Sequence, residues 1–350
     1  MKKKFFIQLL LVAIIGIKTS ISCFAMPTPV LIEKCRDIAK TNKVNQETIL
    51  VCNQAIAENP NNTDGYYWRG FAYTLLGLHD LAIGDYTQVI KMQPLDSEAY
   101  NNRGANFRYK GQYDLANNDI TKAIELDPQY VEAYRNRGGL YYEMKLYQLA
   151  LTDFSTAIKL NPQSAIVYNN RGTVYTALDN TELAAADFAK AMKLEPEYPD
   201  TYYNLGNLFA KNRSYISAVN AYSEAIAKNP QHWLAYNNRG KSLAEVGKYE
   251  EAIRDYTSAI SINSKDAMTL ANRGQALTQI GKYSEAYNDL VTAIQLQPQY
   301  PAPYANLGYI LEQKGQKDLA IKAYQNYLAL SPSDEKMKIF VGGRLKVLMY

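Results

Sequence analysis

VEAYRNRGGLYYEMKLYQLALTDFSTAIKLNPQS, residues 131–164, reads as two short amphipathic helices joined by a tight turn. Tyr134, Gly138 and Tyr141 recur at helical spacing in its first half, and Ala150, Phe154, Ala157 and Ile158 in its second, so each half carries one apolar stripe. Outward from this stretch the glycine returns every 34 residues, at 70, 104, 138, 172, 206, 240, 274 and 308. With that glycine counted as position eight, alanine stands at position 20 of every unit, at 82, 116, 150, 184, 218, 252, 286 and 320. Eight units follow: 63–96, 97–130, 131–164, 165–198, 199–232, 233–266, 267–300 and 301–334. Paired helices at a constant period predict an all-α solenoid, in which stacking completes a core that no unit closes alone.

Each unit is punctuated in the same places. Gly77, Gly111, Gly247, Gly281 and Gly315 fall where the first helix must stop and a left-handed backbone is needed. Prolines 94, 128, 162, 196, 230, 298 and 332 close the second helix. The constant glycine and alanine are expected where the two helices touch, because a larger side chain there would overpack the crossing by about 1–3 kcal/mol. Tyrosines 66, 100, 134, 168, 202, 236 and 304, at position four, are expected to fill the space beside that contact, which turns much of the chain's complement of 30 tyrosines into core.

Position seven is arginine at 69, 103, 137, 171, 239 and 273, and in the same units position 23 is aspartate, at 85, 119, 153, 187, 255 and 289. In the other two units both change together: Leu205 accompanies Ala221, and Leu307 accompanies Ala323. This joint loss predicts an ion pair between the two helices of a unit, since removing one partner of a poorly solvated pair strands a charge at a cost of about 3–5 kcal/mol.

The pattern resembles the tetratricopeptide repeat, whose motif carries an aromatic residue at four, Gly at eight, Ala at 20 and 27, and Pro at 32. Ser264 in place of proline, and Val89 and Tyr327 in place of alanine, depart from it, and Tyr327 points to different packing in the last unit. The resemblance covers 63–334 and implies a right-handed superhelix of helix-turn-helix units. Its concave groove, lined by positions two, five, six, nine, 12 and 13 of the first helices, would hold a protein or extended peptide segment. Position six is asparagine at Asn102, Asn136, Asn170, Asn204, Asn238, Asn272 and Asn306. Two readings stand open for this row. It offers a donor and an acceptor to a peptide backbone, as a similar ladder does in the nucleocytoplasmic sugar transferase, or it bonds to the neighbouring unit and supports the stack. Specificity is expected from Tyr67, Phe71, Arg108, Tyr109, Arg135, Tyr142, Tyr203, Asn207 and Lys241, a lining suited to apolar and acidic side chains. The family's clamp for chaperone tails requires lysine at position five, where Tyr67, Asn101, Arg135, Asn169, Tyr203, Asn237, Ala271 and Ala305 stand instead.

The two ends read differently. Residues 1–25 combine Lys2, Lys3 and Lys4 with an apolar stretch from Phe5 to Ile17 and small residues before Met26, a signal-peptide grammar with cleavage after Ala25. That stretch is too short to span a bilayer. The alternative cut precedes Cys23 and leaves a lipid-anchored envelope assembly factor, although Ser20 stands where such signals favour Leu. Either reading implies an exported protein, periplasmic or extracellular, that meets membrane only if Cys23 is lipidated. Without residues 1–25 the 38 basic residues fall to 34, equal to the 34 acidic ones, which disfavours nucleic acid as a partner. Residues 29–62 read as a degenerate capping unit with Cys35 at position seven and Cys52 at position 24, positions that face each other across a unit, and a disulfide between them is expected. Residues 335–350 are expected to cap the other end with a helix that Gly342 and Gly343 weaken.

No constellation for chemistry emerges. The two histidines, His79 and His232, sit in different units, no metal-ligand spacing occurs, and Gly240-Lys241-Ser242 lacks the earlier glycine of a phosphate loop, with Ala235 in its place. The expectation is a non-catalytic protein-binding scaffold with no cofactor, metal or small-molecule substrate.

Overall fold

The structure, a computed structural model, describes residues 28–40 and 44–349. The leader at 1–25, its cleavage after Ala25 and the fate of Cys23 lie outside the described residues. Among the described residues all regular structure is helical, and no helix is long and apolar enough to cross a membrane. Helices α1 (Thr28–Lys40) and α2 (Gln46–Glu58) precede the repeats. The eight units then supply α3 (Thr63–Leu75) and α4 (His79–Met92), α5 (Ser97–Tyr109) and α6 (Tyr113–Leu126), α7 (Val131–Glu143) and α8 (Tyr147–Leu160), α9 (Ala165–Ala177) and α10 (Thr181–Leu194). They continue with α11 (Pro199–Lys211) and α12 (Tyr215–Lys228), α13 (Trp233–Glu245) and α14 (Tyr249–Ile262), α15 (Ala267–Gln279) and α16 (Tyr283–Leu296), α17 (Ala302–Gln313) and α18 (Lys317–Ala329), and α19 (Glu335–Met349) follows. The described residues up to Asn136 form one compact body and those from Arg137 a second.

The position-eight glycine makes room for residue 24 of its own unit. A methyl group at Gly206 would fall 2.5 Å from the ring of Tyr222, at Gly138 2.8 Å from Phe154, and at Gly274 2.8 Å from Leu290. The position-20 alanines are fully buried beside this contact, but they meet the glycine through backbone: the Ala116 carbonyl lies 3.1 Å from the same point at Gly104. Four of the buried tyrosines, Tyr86, Tyr222, Tyr256 and Tyr324, stand at position 24. This corrects the expectation for position four, whose rings are half-buried. Tyr66, Tyr100, Tyr168 and Tyr236 lie against the arginine three residues on, as Tyr236 does with Arg239 at 5.6 Å, while Tyr134, Tyr202 and Tyr304 donate backward to the preceding proline turn, as Tyr202 Oη does to the Pro196 carbonyl at 3.0 Å.

The turns follow the punctuation with one addition. Gly77, Gly111, Gly247, Gly281 and Gly315 take φ between 69° and 78°, and Lys145, Asp179 and Arg213 take φ of 60° at the equivalent position without glycine. The second helix ends in the same register at Ile262, where Ser264 replaces proline, as at Leu296, where Pro298 is present. In the last unit α18 stops one residue early, Ser331 takes φ of 49°, and Tyr327 is buried in the space that alanine leaves elsewhere.

All six arginine–aspartate pairs form. Arg239 is representative: its Nε and Nη2 donate to the two carboxylate oxygens of Asp255, both at 2.7 Å. This two-point hold is the first cause of the raised pKa of Arg239. The remaining nitrogen reaches into the preceding unit, where Nη1 donates to Ser223 Oγ at 2.9 Å. Arg69, Arg103, Arg171 and Arg273 do the same to Asn53, Thr87, Ser155 and Thr257. Ahead of Leu205 and Leu307 the same position holds Ala189 and Val291, so the backward partner disappears with the arginine.

At the first end, the Cys35–Cys52 disulfide joins α1 to α2, with Cα atoms 5.1 Å apart, in a small core with Leu31, Ile32, Val51 and Ala55. Trp68, at the position that is asparagine in later units, packs against this core. At the other end Val341 of α19 is buried against α17 and α18, while Met337, Leu345 and Leu348 add partly buried contacts. Arg344 pairs with Glu312.

Candidate protein-binding face

The asparagine row at position six runs from unit to unit. Asn136 Nδ2 donates to Asn101 Oδ1 at 2.9 Å, Asn204 to Asn169 at 3.0 Å, and Asn272 to Asn237 at 3.0 Å. Where position five is tyrosine the phenol accepts instead, from Asn102 to Tyr67 and from Asn238 to Tyr203, both at 3.2 Å. In these five the amide N–H is bonded along the stack, the arrangement the supporting reading calls for. Asn306 follows Ala271, which offers no acceptor, and donates to the Ala302 carbonyl at 3.3 Å; Asn170 accepts from Asn169 at 3.3 Å.

Several of the specificity candidates belong to the same network. Tyr67 Oη donates to Glu98 at 2.8 Å, and burial together with that carboxylate raises its pKa. Tyr203, whose pKa is raised by burial, lies against the His232 ring at 4.8 Å. Asn207 Oδ1 accepts from Tyr222 Oη at 2.7 Å and from Asn238 at 3.0 Å. Phe71 packs on Trp68 at 5.9 Å, and Tyr142 on Tyr147 at 5.8 Å. Tyr109 is 67% exposed, stacked on His79 at 5.0 Å with the Arg108 guanidinium 5.9 Å from its ring. Arg135 is half-buried and Lys241 exposed.

Two recesses in the second body fall on the positions that the resemblance assigns to the groove. One of about 340 Å³ is lined by Asn207, Ala210 and Lys211 of α11 and by Asn238, Lys241 and Glu245 of α13. The other, about 670 Å³, is lined by Gln275, Thr278 and Gln279 of α15, Asn306 and Tyr309 of α17, and Lys336, Met337 and Phe340 of α19. Sequence reasoning named Asn207, Asn238, Lys241 and Asn306 among these, but passed over Gln275, Gln279 and Tyr309. Their positions, nine and 13, were the available signal; the wall added by α19 had none. Amides, phenols and three lysines among apolar walls suit backbone, apolar and acidic groups of a polypeptide. Among the described residues no three metal-ligating side chains converge. His79 Nδ1 meets Asn106 Oδ1 at 2.9 Å, and His232 Nδ1 accepts the Ala235 N–H as an N-cap at 3.2 Å, so both rings are held in structural bonds.

A stack of 34-residue helix pairs around a glycine–residue-24 contact defines a helical-repeat protein. Family models described as "TPR repeat" and "Tetratricopeptide repeat" match 105–145, 172–212 and 274–315, 203–267, 131–164, and 63–94 and 302–334, together well over half of the chain. The chain belongs to the tetratricopeptide-repeat family, whose members are typically protein–protein interaction scaffolds without catalytic activity. No curated protein matches it. Among solved structures it is similar to a chain of the APC/C hetero-tetramer Cut9–Hcn1, with TM-score 0.63 at 16% identity over 83% of this chain and 57% of that one. It thus spans little more than half of that relative's length. A tetratricopeptide repeat protein from Parabacteroides merdae matches with TM-score 0.56 at 19% identity, covering 71% of this chain and 98% of that one. Pseudomonas aeruginosa pilF matches with TM-score 0.50 at 20% identity, covering 59% and 94%. At these identities the likeness is one of fold.

Proposed function

We propose that this protein is a non-catalytic scaffold that holds an extended segment of another protein against the first helices of its repeats. The observation that carries this reading is the placement of both recesses on positions five, six, nine, 12 and 13. The asparagine row then acts as a spine that keeps these positions in register, and selection falls to Lys241, Gln275, Tyr309 and their neighbours. We also read the protein as exported, with residues 1–25 removed; support comes from the leader's composition and from the Cys35–Cys52 disulfide, a bond that persists in oxidising compartments.

The test is selection of a displayed random-peptide library on the purified protein from Met26 onward, followed by affinity measurement against Lys241→Glu and Tyr309→Ala. Peptides carrying acidic and apolar residues should emerge and lose at least about tenfold in affinity against one of the two variants, a loss of about 1.4 kcal/mol. Peptides that bind both variants as tightly as the parent would place binding elsewhere on the molecule.

A further inference from the structure

Where the asparagine row bonds from unit to unit, position five supplies the acceptor: Tyr67, Asn101, Asn169, Tyr203 or Asn237. After Asn237 that position turns to alanine, at Ala271 and Ala305. Following Ala305, position six changes as well: Phe340 of α19 stands 34 residues after Asn306. The joint between α17 and α19 thus carries an alanine and a phenylalanine in place of a hydrogen-bonded polar pair. The recess of about 670 Å³ opens at this joint, bordered by Ala305, Tyr309, Met337 and Phe340. A tyrosine or asparagine side chain on Ala305 would enter that space, so the recess follows from the exchange of residues at five and six.

Two charged side chains border it, Asp334 and Lys336. Asp334 accepts the Met337 N–H at 3.0 Å and so caps α19. Lys338 is paired with Glu335, and Arg344 with Glu312, whereas Lys336 is exposed and has no ion-pair or hydrogen-bond partner among the described residues. Lys336 lies one helical turn before Phe340, which sets the two side chains about 5–6 Å apart on one face of α19. In an extended polypeptide, residues i and i+2 share a face at a similar spacing, about 6–7 Å.

We infer that this recess is an anchor pocket for one aromatic side chain of the bound segment, with a carboxylate two residues along held by Lys336. The inference rests on the groove reading proposed above and names what the segment carries there: an aromatic residue, any residue, then Asp or Glu, or an aromatic residue just before the segment's own free carboxyl end. Two rings and a thioether line the pocket above the small Ala305, and rings and sulfur both pack well against an aromatic guest. One ring buried in such a pocket contributes more to affinity than the exposed contacts around it.

The probes are peptides short enough to need the recess alone, acetyl-Trp-Gly-Glu-amide and its relatives, titrated into the protein from Met26 onward carrying ¹³C-methyl methionine. The signal followed is the Met337 methyl, assigned by its loss in Met337→Leu. A saturable shift is expected, with affinity at least about tenfold lower, or 1.4 kcal/mol, when alanine replaces the tryptophan. The same loss is expected on Phe340→Ala, and on Ala305→Asn, which installs the residue that position five holds at 101, 169 and 237. Phe340 is 42% exposed, so its removal leaves the core intact. Glutamine for the peptide's glutamate, and Lys336→Gln, should each weaken binding by up to about fivefold, the size of an exposed ion pair. The two losses should not add, because each removes the same pair. Acetyl-Trp-Gly with a free carboxyl end separates the two sources of the carboxylate: tighter binding than the glutamate peptide assigns the pocket to a chain end, weaker binding to an internal segment. Absence of a saturable Met337 shift, equal affinity for a peptide with leucine or alanine in place of tryptophan, or full affinity in Phe340→Ala would each overturn the inference. Lys241→Glu, in the other recess, should leave the short peptides unaffected. Library peptides that depend on Lys241 while the short peptides fail would leave the groove reading standing without this anchor.

Discussion

At position seven one guanidinium serves two helices of its own unit and the unit before it, so its loss strands the aspartate and leaves the backward hydroxyl with one bond fewer, as at Ser223, which keeps its bond to the Val219 carbonyl. Arg239→Leu leaves Asp255 without its counter-ion and should cost about 3–5 kcal/mol by urea denaturation. Adding Asp255→Ala should recover most of that, and adding Ser223→Ala should recover more, because the triple variant reproduces what the chain has at Ala189, Leu205 and Ala221. Equal losses in the single and triple variants would remove the linkage. Lys145 is held at φ of 60°, a conformation that costs a side-chain-bearing residue about 1 kcal/mol, so Lys145→Gly should raise stability by about that much. Asp200 is also informative: its hydrogen bond with His232 lowers its pKa below the ordinary carboxylate value. A depressed carboxylate contributes stability above its unfolded pKa of about 4 and loses it as pH falls through the folded value. Asp200→Asn should therefore lower the urea midpoint across the neutral plateau and converge with the parent as pH falls below about 4.

Between two helices the outcome is set by what faces the glycine. Gly206→Ala pushes a methyl group to 2.5 Å from the Tyr222 ring and should destabilise by about 1–3 kcal/mol, whereas Gly343→Ala meets nothing within 4 Å and should stabilise α19 by about 1 kcal/mol through helix propensity. Melting curves of the two variants should move in opposite directions. Helix pairing and the arginine–aspartate link were legible in the sequence, because a spacing of 34 repeats the same kind of contact from unit to unit. The rotational phase of each helix was not: periodicity shows that Tyr134 and Phe154 share an interior, yet only packing shows that Phe154 meets the glycine while the position-four ring lies half-exposed against arginine. The larger recess was hidden for a related reason. One of its walls is Phe340, and nothing in the composition of α19 says that its first turn borders Tyr309.

Within each body contacts join neighbouring helices, so stability is expected to vary along it. Reducing the Cys35–Cys52 bond releases a cross-link between α1 and α2 and should cost about 2–4 kcal/mol locally. Hydrogen exchange should then quicken in Leu31–Ala39 and Val51–Ala55 while α14 and α16 keep their protection. Uniform loss of protection would show a single cooperative block instead. The ends were the least legible part, since Cys35 and Cys52 interrupt the repeat consensus, and only their matching positions seven and 24 hinted that they meet.

The backward reach of the arginine also has a genetic consequence. A segment cut at the usual unit boundary, such as 165–198, separates Arg171 from Ser155, whereas a 34-residue cassette running from 155 to 188 carries Ser155, Arg171 and Asp187 together. The next cassette, 189–222, carries Ala189, Leu205 and Ala221 as an equally self-consistent set. Duplication, deletion or grafting in that phase conserves every partner of the arginine, so for this linkage the inheritable building block is the joint between two hairpins.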